Sequence, residues 1–85
     1  MWNIDELVDI ETMFLEPRDR YDECIVGMTY DGNKIIYDAD KIIHALMEQD
    51  GMNDEEAIEY FEYNILGAYV GEGTPIYTHL ISRRR

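Results

Sequence analysis

Apolar residues recur at helical spacing in three stretches of the chain, and the first lies near its start. Five apolar side chains there form two neighbouring stripes: Ile4, Leu7, Val8, Ile10 and Phe14. This spacing predicts a first helix from Ile4 to about Phe14, with Asn3 as its N-cap residue. Pro17 follows, and because its ring cannot continue a helix, we expect a polar connection after it.

The second and third stretches predict two consecutive helices. Four apolar residues mark the inner stripe of the earlier one: Ile42, Ile43, Leu46 and Met47. This helix is expected from Ala39 to about Gln49, with Asp38 as N-cap and Gly51 as the residue that ends it. Asn53 then opens a third helix, with Glu56 as its capping-box partner. Its inward face is predicted to hold Ala57, Ile58, Phe61, Ile65 and Leu66.

Residues 24–37 predict a β-hairpin. Two runs rich in β-branched and aromatic residues flank Asp31-Gly32-Asn33, where glycine and asparagine tolerate the positive φ of a tight turn. Both runs are apolar on both sides, so we expect the sheet to be covered on both faces or to lie at an interface. Residues 76–81 predict a further strand that joins the hairpin.

These elements predict one α+β domain over residues 1–82, in which about three helices pack on a short antiparallel sheet. Residues 83–85 form a basic C-terminal tail in this interpretation. The length of 85 residues favours one domain, and a hydrophobic content of 46% is too high for intrinsic disorder. The lone Cys24 allows no intrachain disulfide and fits a reducing cytoplasm. No stretch approaches the roughly 18 apolar residues of a membrane span, so we expect no membrane association.

Charge is distributed very unevenly along the chain. The 19 acidic residues face only seven lysines and arginines, and three of those cations are Arg83, Arg84 and Arg85. Over residues 1–82 the four remaining cations leave a formal charge of −15, and from Ile42 to Ser82 there is no lysine or arginine at all. Because binding to phosphates requires cations, direct nucleic-acid binding is not expected. A basic protein surface is the partner that this charge favours.

Candidate chemistry is sparse, and the residues favour a protein that is not an enzyme and has no cofactor. Cys24 lies in an apolar run and is expected as a small core residue rather than a nucleophile. His44 and Glu48 have minimal metal-ligand spacing, but a zinc site would need His79 to converge with them. Gly71–Pro75 is glycine-rich, yet Glu72 would repel phosphate, so a rigid turn is the preferred interpretation.

Three segments in the second half of the chain resemble a known group of proteins. Leu46–Met52, Glu55–Asn64 and Gly67–Pro75 are similar, in sequence and spacing, to small uncharacterised proteins of tailed bacteriophages. The resemblance covers roughly residues 37–77 and brings no named activity with it. It implies a phage accessory protein in the bacterial host cytoplasm. It also implies that the Gly67–Pro75 loop and the glutamate–tyrosine face are shared in the family, either as a surface or for folding alone.

Two functions follow as hypotheses. In the first, the protein binds a host protein, as an inhibitor of a nucleic-acid-binding or defence protein of the anti-CRISPR or anti-restriction type, through carboxylates that imitate DNA phosphates. The residues expected to carry this contact are Glu48, Asp54, Glu55, Glu59, Glu62, Glu72, Tyr60, Tyr63 and Tyr69. In the second, the protein is a self-associating accessory protein, and its acidity serves only solubility.

Overall fold

The computed structural model describes residues 4–68 and 71–81, which form an α+β fold. The α-helices are α1 (Ile4–Leu7), α2 (Arg18–Tyr21), α3 (Ala39–Asp50) and α4 (Asp54–Tyr60). A 3-10 helix over Asp22–Cys24 follows α2, and α4 continues as a π-helix over Phe61–Leu66. The strands are β1 (Ile25–Met28), β2 (Ile35–Asp38) and β3 (Ile76–Thr78). Among the described residues these strands form one mixed sheet in the order β1-β2-β3.

The first helix is much shorter than the pattern predicted. It ends at Leu7, and the Thr12 hydroxyl then accepts a hydrogen bond from the backbone N–H of Asp9 (2.9 Å) and donates one to the carbonyl of Gly32 (2.8 Å). Asp and Thr side chains compete in this way with helical backbone bonding, which explains the early end. Of the predicted second stripe, Phe14 packs against the core, whereas Ile10 is 97% exposed and faces solvent.

The hairpin prediction is confirmed, with a shorter first strand. β1 pairs antiparallel with β2 from Ile25 opposite Tyr37 to Met28 opposite Ile35, and the register shifts between Ile25 and Gly27. At the turn, the Asp31 carboxylate accepts hydrogen bonds from the Thr29 hydroxyl (2.7 Å) and the backbone N–H of Asn33 (3.0 Å). Gly32 has a φ of 80°, which glycine adopts without steric cost.

The predicted caps of the two longer helices are confirmed. Asp38 accepts hydrogen bonds from two N–H groups in the first turn of α3, and the helix ends at a Gly51 with a φ of 70°. At the start of α4 the side chain of Asn53 accepts from the N–H of Glu56 (2.8 Å), while the Glu56 carboxylate accepts from the N–H of Asn53 (3.0 Å). This is the capping box that the sequence indicated.

The purely antiparallel sheet is the clear error of the fold prediction. β3 runs parallel to β2, with Ile36 opposite Ile76 and Asp38 opposite Thr78, and it spans three residues rather than the predicted six. Parallel neighbours need a crossover connection. Here α3, α4 and the π-helix lie between β2 and β3 in the chain, and β3 starts beside the beginning of β2. The apolar run marked a strand without indicating its direction.

The core lies between the sheet and the two longer helices. Its fully buried large side chains are Tyr37, Ile35, Ile42 and Leu46. Tyr77 of β3 stacks on Tyr37 with ring centroids 5.9 Å apart and meets Phe61 edge-on at 5.4 Å. Through these contacts β3 and the π-helix share one aromatic cluster.

The buried stripe of α4 and the π-helix is narrower than predicted. Ala57, Phe61 and Ile65 face the core as expected, but Ile58 is 42% exposed and Leu66 is 52% exposed. Buried residues at intervals of four define the inner stripe, and each misassigned residue follows a member of that stripe by one position, about 100° around the helix. The outward orientation predicted for the α4 glutamates is confirmed, because Glu55, Glu59 and Glu62 are all exposed.

Candidate functional site

A concavity of about 520 Å³ lies where the junction of α3 and α4 meets the outer side of α4. We call it the acidic groove. Its lining is formed by Asp50, Met52, Glu56, Glu59, Tyr60 and Tyr63, with Gly51 and Asn64 completing it. It thus joins three carboxylates with two tyrosine rings, and its lining includes no lysine or arginine.

One end of the groove is fixed by an ion pair. The Asp50 carboxylate lies 2.6 Å from a guanidinium nitrogen of Arg20, and Asp50 is the main cause that raises the pKa of this guanidinium. Arg20 belongs to α2, so the pair connects α2 to the last residue of α3. The negative charge of Asp50 is therefore partly neutralised, and less of it is available to an external cation.

The two glutamates of the groove differ in whether their carboxylates already have a partner within the protein. One carboxylate oxygen of Glu56 is held by the backbone N–H of Asn53 in the capping box. Glu59 is exposed and forms no ion pair with any residue that the structure describes. Glu55 and Glu62 lie four residues before it and three residues after it, so like charges flank it along the helix. Glu59 is consequently the groove carboxylate with the most charge to offer a partner.

Two tyrosines supply the aromatic part of the groove. Tyr63 is 81% exposed and Tyr60 is about half as exposed. The helical spacing that buries Ala57, Phe61 and Ile65 explains the difference, because Tyr63 falls on the side opposite this stripe and Tyr60 lies at its edge. Exposed tyrosines beside acids provide a large contact area at little cost in conformational entropy.

The structure does not bring all the predicted contact residues together. Glu59, Tyr60 and Tyr63 line the acidic groove. Glu55 and Glu62 lie on a neighbouring stripe of the same helix, and the carboxylate of Asp54 accepts a hydrogen bond from the N–H of Glu55 (2.8 Å). These three residues form a flank of the groove rather than its lining.

The remaining predicted residues lie elsewhere or are not described. Glu48 projects from α3 and is paired with His44 at 3.0 Å. Glu72 lies in the loop before β3, where its backbone carbonyl accepts a hydrogen bond from the Lys34 ammonium. Tyr69 lies outside the described residues.

Five groove residues were missed as contact residues by the sequence interpretation: Asp50, Gly51, Met52, Glu56 and Asn64. Asp50, Met52 and Glu56 lie at or beside the short connection between α3 and α4, and the sequence interpretation used Glu56 only as a capping residue. A usable signal was present: two helices joined by three residues must place the end of one beside the start of the other. Side chains around that junction are therefore brought together by topology.

Metal and nucleophile chemistry receive no support from the geometry. His44 and His79 pair with different carboxylates, Glu48 at 3.0 Å and Asp40 at 3.2 Å, so they do not converge. Within residues 4–68 and 71–81 no group of three histidine, cysteine or acidic side chains is placed to hold a metal ion. Cys24 is buried, as predicted, and burial raises the pKa of its thiol, which disfavours the reactive thiolate.

The Gly71–Pro75 segment forms the closed turn that the sequence indicated. Gly71 has a φ of 122°, and its carbonyl accepts hydrogen bonds from the backbone N–H (3.2 Å) and the hydroxyl (2.6 Å) of Thr74. The carbonyl of Gly73 accepts a hydrogen bond from the N–H of Met13 (3.2 Å). The turn thereby packs against the segment that follows α1.

None of the described helices is both long enough and apolar enough to cross a bilayer. Comparisons with protein-family models, with curated proteins and with solved structures each find no match. The resemblance to bacteriophage proteins therefore stays a prediction.

Proposed function

We propose that this chain is a non-enzymatic, protein-binding domain that docks a basic surface of a partner protein through the acidic groove and its flank. In the context that the resemblance implies, the protein belongs to a bacteriophage and acts in the bacterial host cytoplasm. Its partner there is a nucleic-acid-binding or defence protein, which it inhibits. The observation that carries the proposal is the combination of uncompensated carboxylates and exposed tyrosines on one helix.

Electrostatics supports the choice of partner. Glu55, Glu59 and Glu62 are exposed at spacings of four and three residues, and the chain carries no lysine or arginine between residues 42 and 82. Like charges at this spacing destabilise a helix by a few tenths of a kcal/mol per pair. A basic partner removes this repulsion on binding, so that part of the favourable binding energy comes from relief of strain within the protein itself.

The same arrangement supports inhibition by competition with nucleic acid. A row of carboxylates on a rigid helix presents negative charge to a basic groove in a manner that resembles phosphates. The protein then occupies the groove that its partner uses for DNA or RNA. Because the contact is made largely by exposed charges, salt weakens it.

The test is capture of partners from a bacterial lysate on the tagged protein, followed by elution at rising salt and identification by mass spectrometry. A variant with Glu55→Lys, Glu59→Lys and Glu62→Lys is compared with the wild type. The matched control is Glu6→Lys, Glu16→Lys and Glu23→Lys, which changes the net charge equally at exposed sites outside the groove and flank. We expect a nucleic-acid-binding protein that elutes as salt rises and is lost only in the α4 variant.

Circular dichroism establishes that both variants remain folded. Equal capture by the α4 variant and the wild type would refute the role of this surface. Equal loss in both variants would show that only total charge matters, which also contradicts the proposal.

Self-association is the second candidate, and a specific observation favours it. Leu80 and Ile81 follow β3 and are 58% and 86% exposed, beside a strand whose outer edge has no partner strand among the described residues. Open edges and adjacent apolar side chains are features through which copies of a chain pair. Sedimentation of the wild type and Ile81→Lys separates the two functions: a dimer that dissociates in this variant supports the accessory-protein hypothesis.

A further inference from the structure

We propose that the acidic groove takes a polypeptide segment with consecutive arginines and distinguishes arginine from lysine. This inference rests on the proposed function, because it assigns the chemistry of the partner at the same groove. It goes further in one respect: a purely electrostatic surface treats the two cations alike, whereas this groove does not.

The composition of the groove carries the distinction. The carboxylates at positions 56 and 59 are followed along the same groove by the exposed tyrosine rings at 60 and 63, so that carboxylates and rings adjoin at Glu59 and Tyr60. A guanidinium is planar, so it stacks on an aromatic ring while its edge donates two hydrogen bonds to a carboxylate. An ammonium is a strongly hydrated point charge that gains little from the ring in an exposed site.

The fold itself uses this mode of binding for its own arginines. The Arg20 guanidinium, which contacts Asp50 at the end of the groove, also lies 5.5 Å from the ring centroid of Tyr21. The Arg18 guanidinium lies 3.8 Å from the ring centroid of Phe14 and 3.0 Å from the Asp22 carboxylate. Both described arginines therefore combine one ring with one carboxylate. No such combination is found for the two lysines among the described residues.

The length of the groove fits a short run of arginines. Glu56 and Tyr63 are seven residues apart, which corresponds to about 10 Å along a helix axis. About three residues of an extended segment cover this distance. The chain itself contains a segment of this chemistry, Arg83–Arg85. The ligand we propose is a segment of the partner protein, and the assay keeps copies of this chain apart so that their own arginines do not compete for the groove.

The experiment measures the affinities of hexa-arginine and hexa-lysine peptides for full-length protein immobilised at low density. We expect the arginine peptide to bind about tenfold more tightly at equal charge. In Tyr63→Leu this ratio falls towards one, because an apolar side chain remains but the ring is gone. The matched control is Tyr30→Leu, which changes another highly exposed tyrosine outside the groove and preserves the ratio.

Each outcome separates the inference from the proposed function. Equal affinity for the two peptides overturns the arginine preference and leaves a generic acidic docking surface. An arginine preference that survives Tyr63→Leu overturns the placement of the ligand on this ring. Failure of both peptides to bind overturns the proposed function as well. A tenfold preference that is lost only in Tyr63→Leu supports the inference.

Discussion

Replacing Gly73 with alanine should destabilise the fold, because the added methyl group has no room. A Cβ atom at this position would overlap the carbonyl oxygen of Glu11 and lie 2.8 Å from its carbonyl carbon. Both atoms belong to the backbone, so no change of rotamer relieves the contact. The segment after α1 must move instead, and this movement removes the hydrogen bond from the Met13 N–H to the Gly73 carbonyl.

The expected loss can be estimated from these contacts. Overpacking of a buried position costs about 1–3 kcal/mol, and a lost neutral hydrogen bond costs about 1 kcal/mol. Replacing glycine also restricts the unfolded chain, which returns about 0.4–1 kcal/mol. The net loss is about 1–4 kcal/mol. In a domain of this size each kcal/mol lowers the melting temperature by about 4–8 °C, so we expect a decrease of at least about 4 °C.

Alanine variants of two other glycines provide reference melting temperatures, measured by circular dichroism during thermal unfolding. A Cβ at Gly27 meets no atom within 4 Å and needs no positive φ, so Gly27→Ala should leave the melting temperature unchanged or slightly raised. Gly51 is equally open but has a φ of 70°, so Gly51→Ala should cost about 1 kcal/mol from backbone strain alone. If Gly73→Ala and Gly27→Ala have the same melting temperature, the close contact between the Gly71–Pro75 turn and the segment after α1 is refuted.

Three further predictions concern hydrogen bonding, capping and pH. The Leu15 N–H donates a hydrogen bond to the Tyr37 hydroxyl (2.8 Å), and Tyr37→Phe removes this acceptor. The free energy of unfolding in urea should therefore fall by about 1–2 kcal/mol. An unchanged urea midpoint would contradict this expectation. Asn53→Ala removes the cap of α4 and should cost about 1 kcal/mol, measured in the same way. Burial raises the pKa of Tyr77 from 10.0 to about 12. Because the folded-state pKa exceeds the unfolded value, the contribution of protonated Tyr77 to the free energy of unfolding is complete below pH 10 and is lost as the pH rises from 10 to 12. A urea unfolding midpoint that stays constant over this pH range would refute the prediction.

Local signals explain why the bounds of α3 and the start of α4 were predictable. Asp38, Gly51 and Asn53 act through hydrogen bonds and dihedral angles within a few residues of themselves, so the bounds of α3 and the start of α4 could be read from the sequence. The prediction of the first helix was wrong because its early end depends on a contact that is distant in the sequence. Thr12 bonds to Gly32, twenty residues away, and no pattern within residues 4–14 reveals that this contact outweighs helical bonding.

The direction of a strand and the burial of individual side chains were harder to predict than whether a segment is a helix or a strand. An apolar run such as Ile76–Thr78 has the same composition in a parallel or an antiparallel strand. Its direction depends on where a crossover of more than thirty residues returns the chain, which is a global property. The misassigned Ile58 and Leu66 show a related limit: hydrophobicity alone does not decide which of two adjacent apolar residues faces the core.

The candidate site was accordingly predictable in part. Exposure of Glu59 and Tyr63 follows from one helix and its inner stripe, so sequence periodicity located them. The involvement of Asp50 depends on the contact between α3 and α4 and on Arg20, which comes from α2. Contacts between separate elements of this kind leave no periodic trace in the sequence.

Total charge is a weaker guide to function than the location of the cations. Arg18 and Arg20 form ion pairs with Asp22 and Asp50, so these two arginines already stabilise the fold near α2. Helix α4 and its π-helical extension carry no cation, although a single lysine among the glutamates would relieve their repulsion. Solubility alone does not require that arrangement, because mixed charges also keep a surface soluble. Uncompensated charge that lies beside exposed tyrosines is the property a docking surface needs, and it distinguishes this helix from the other acidic parts of the chain.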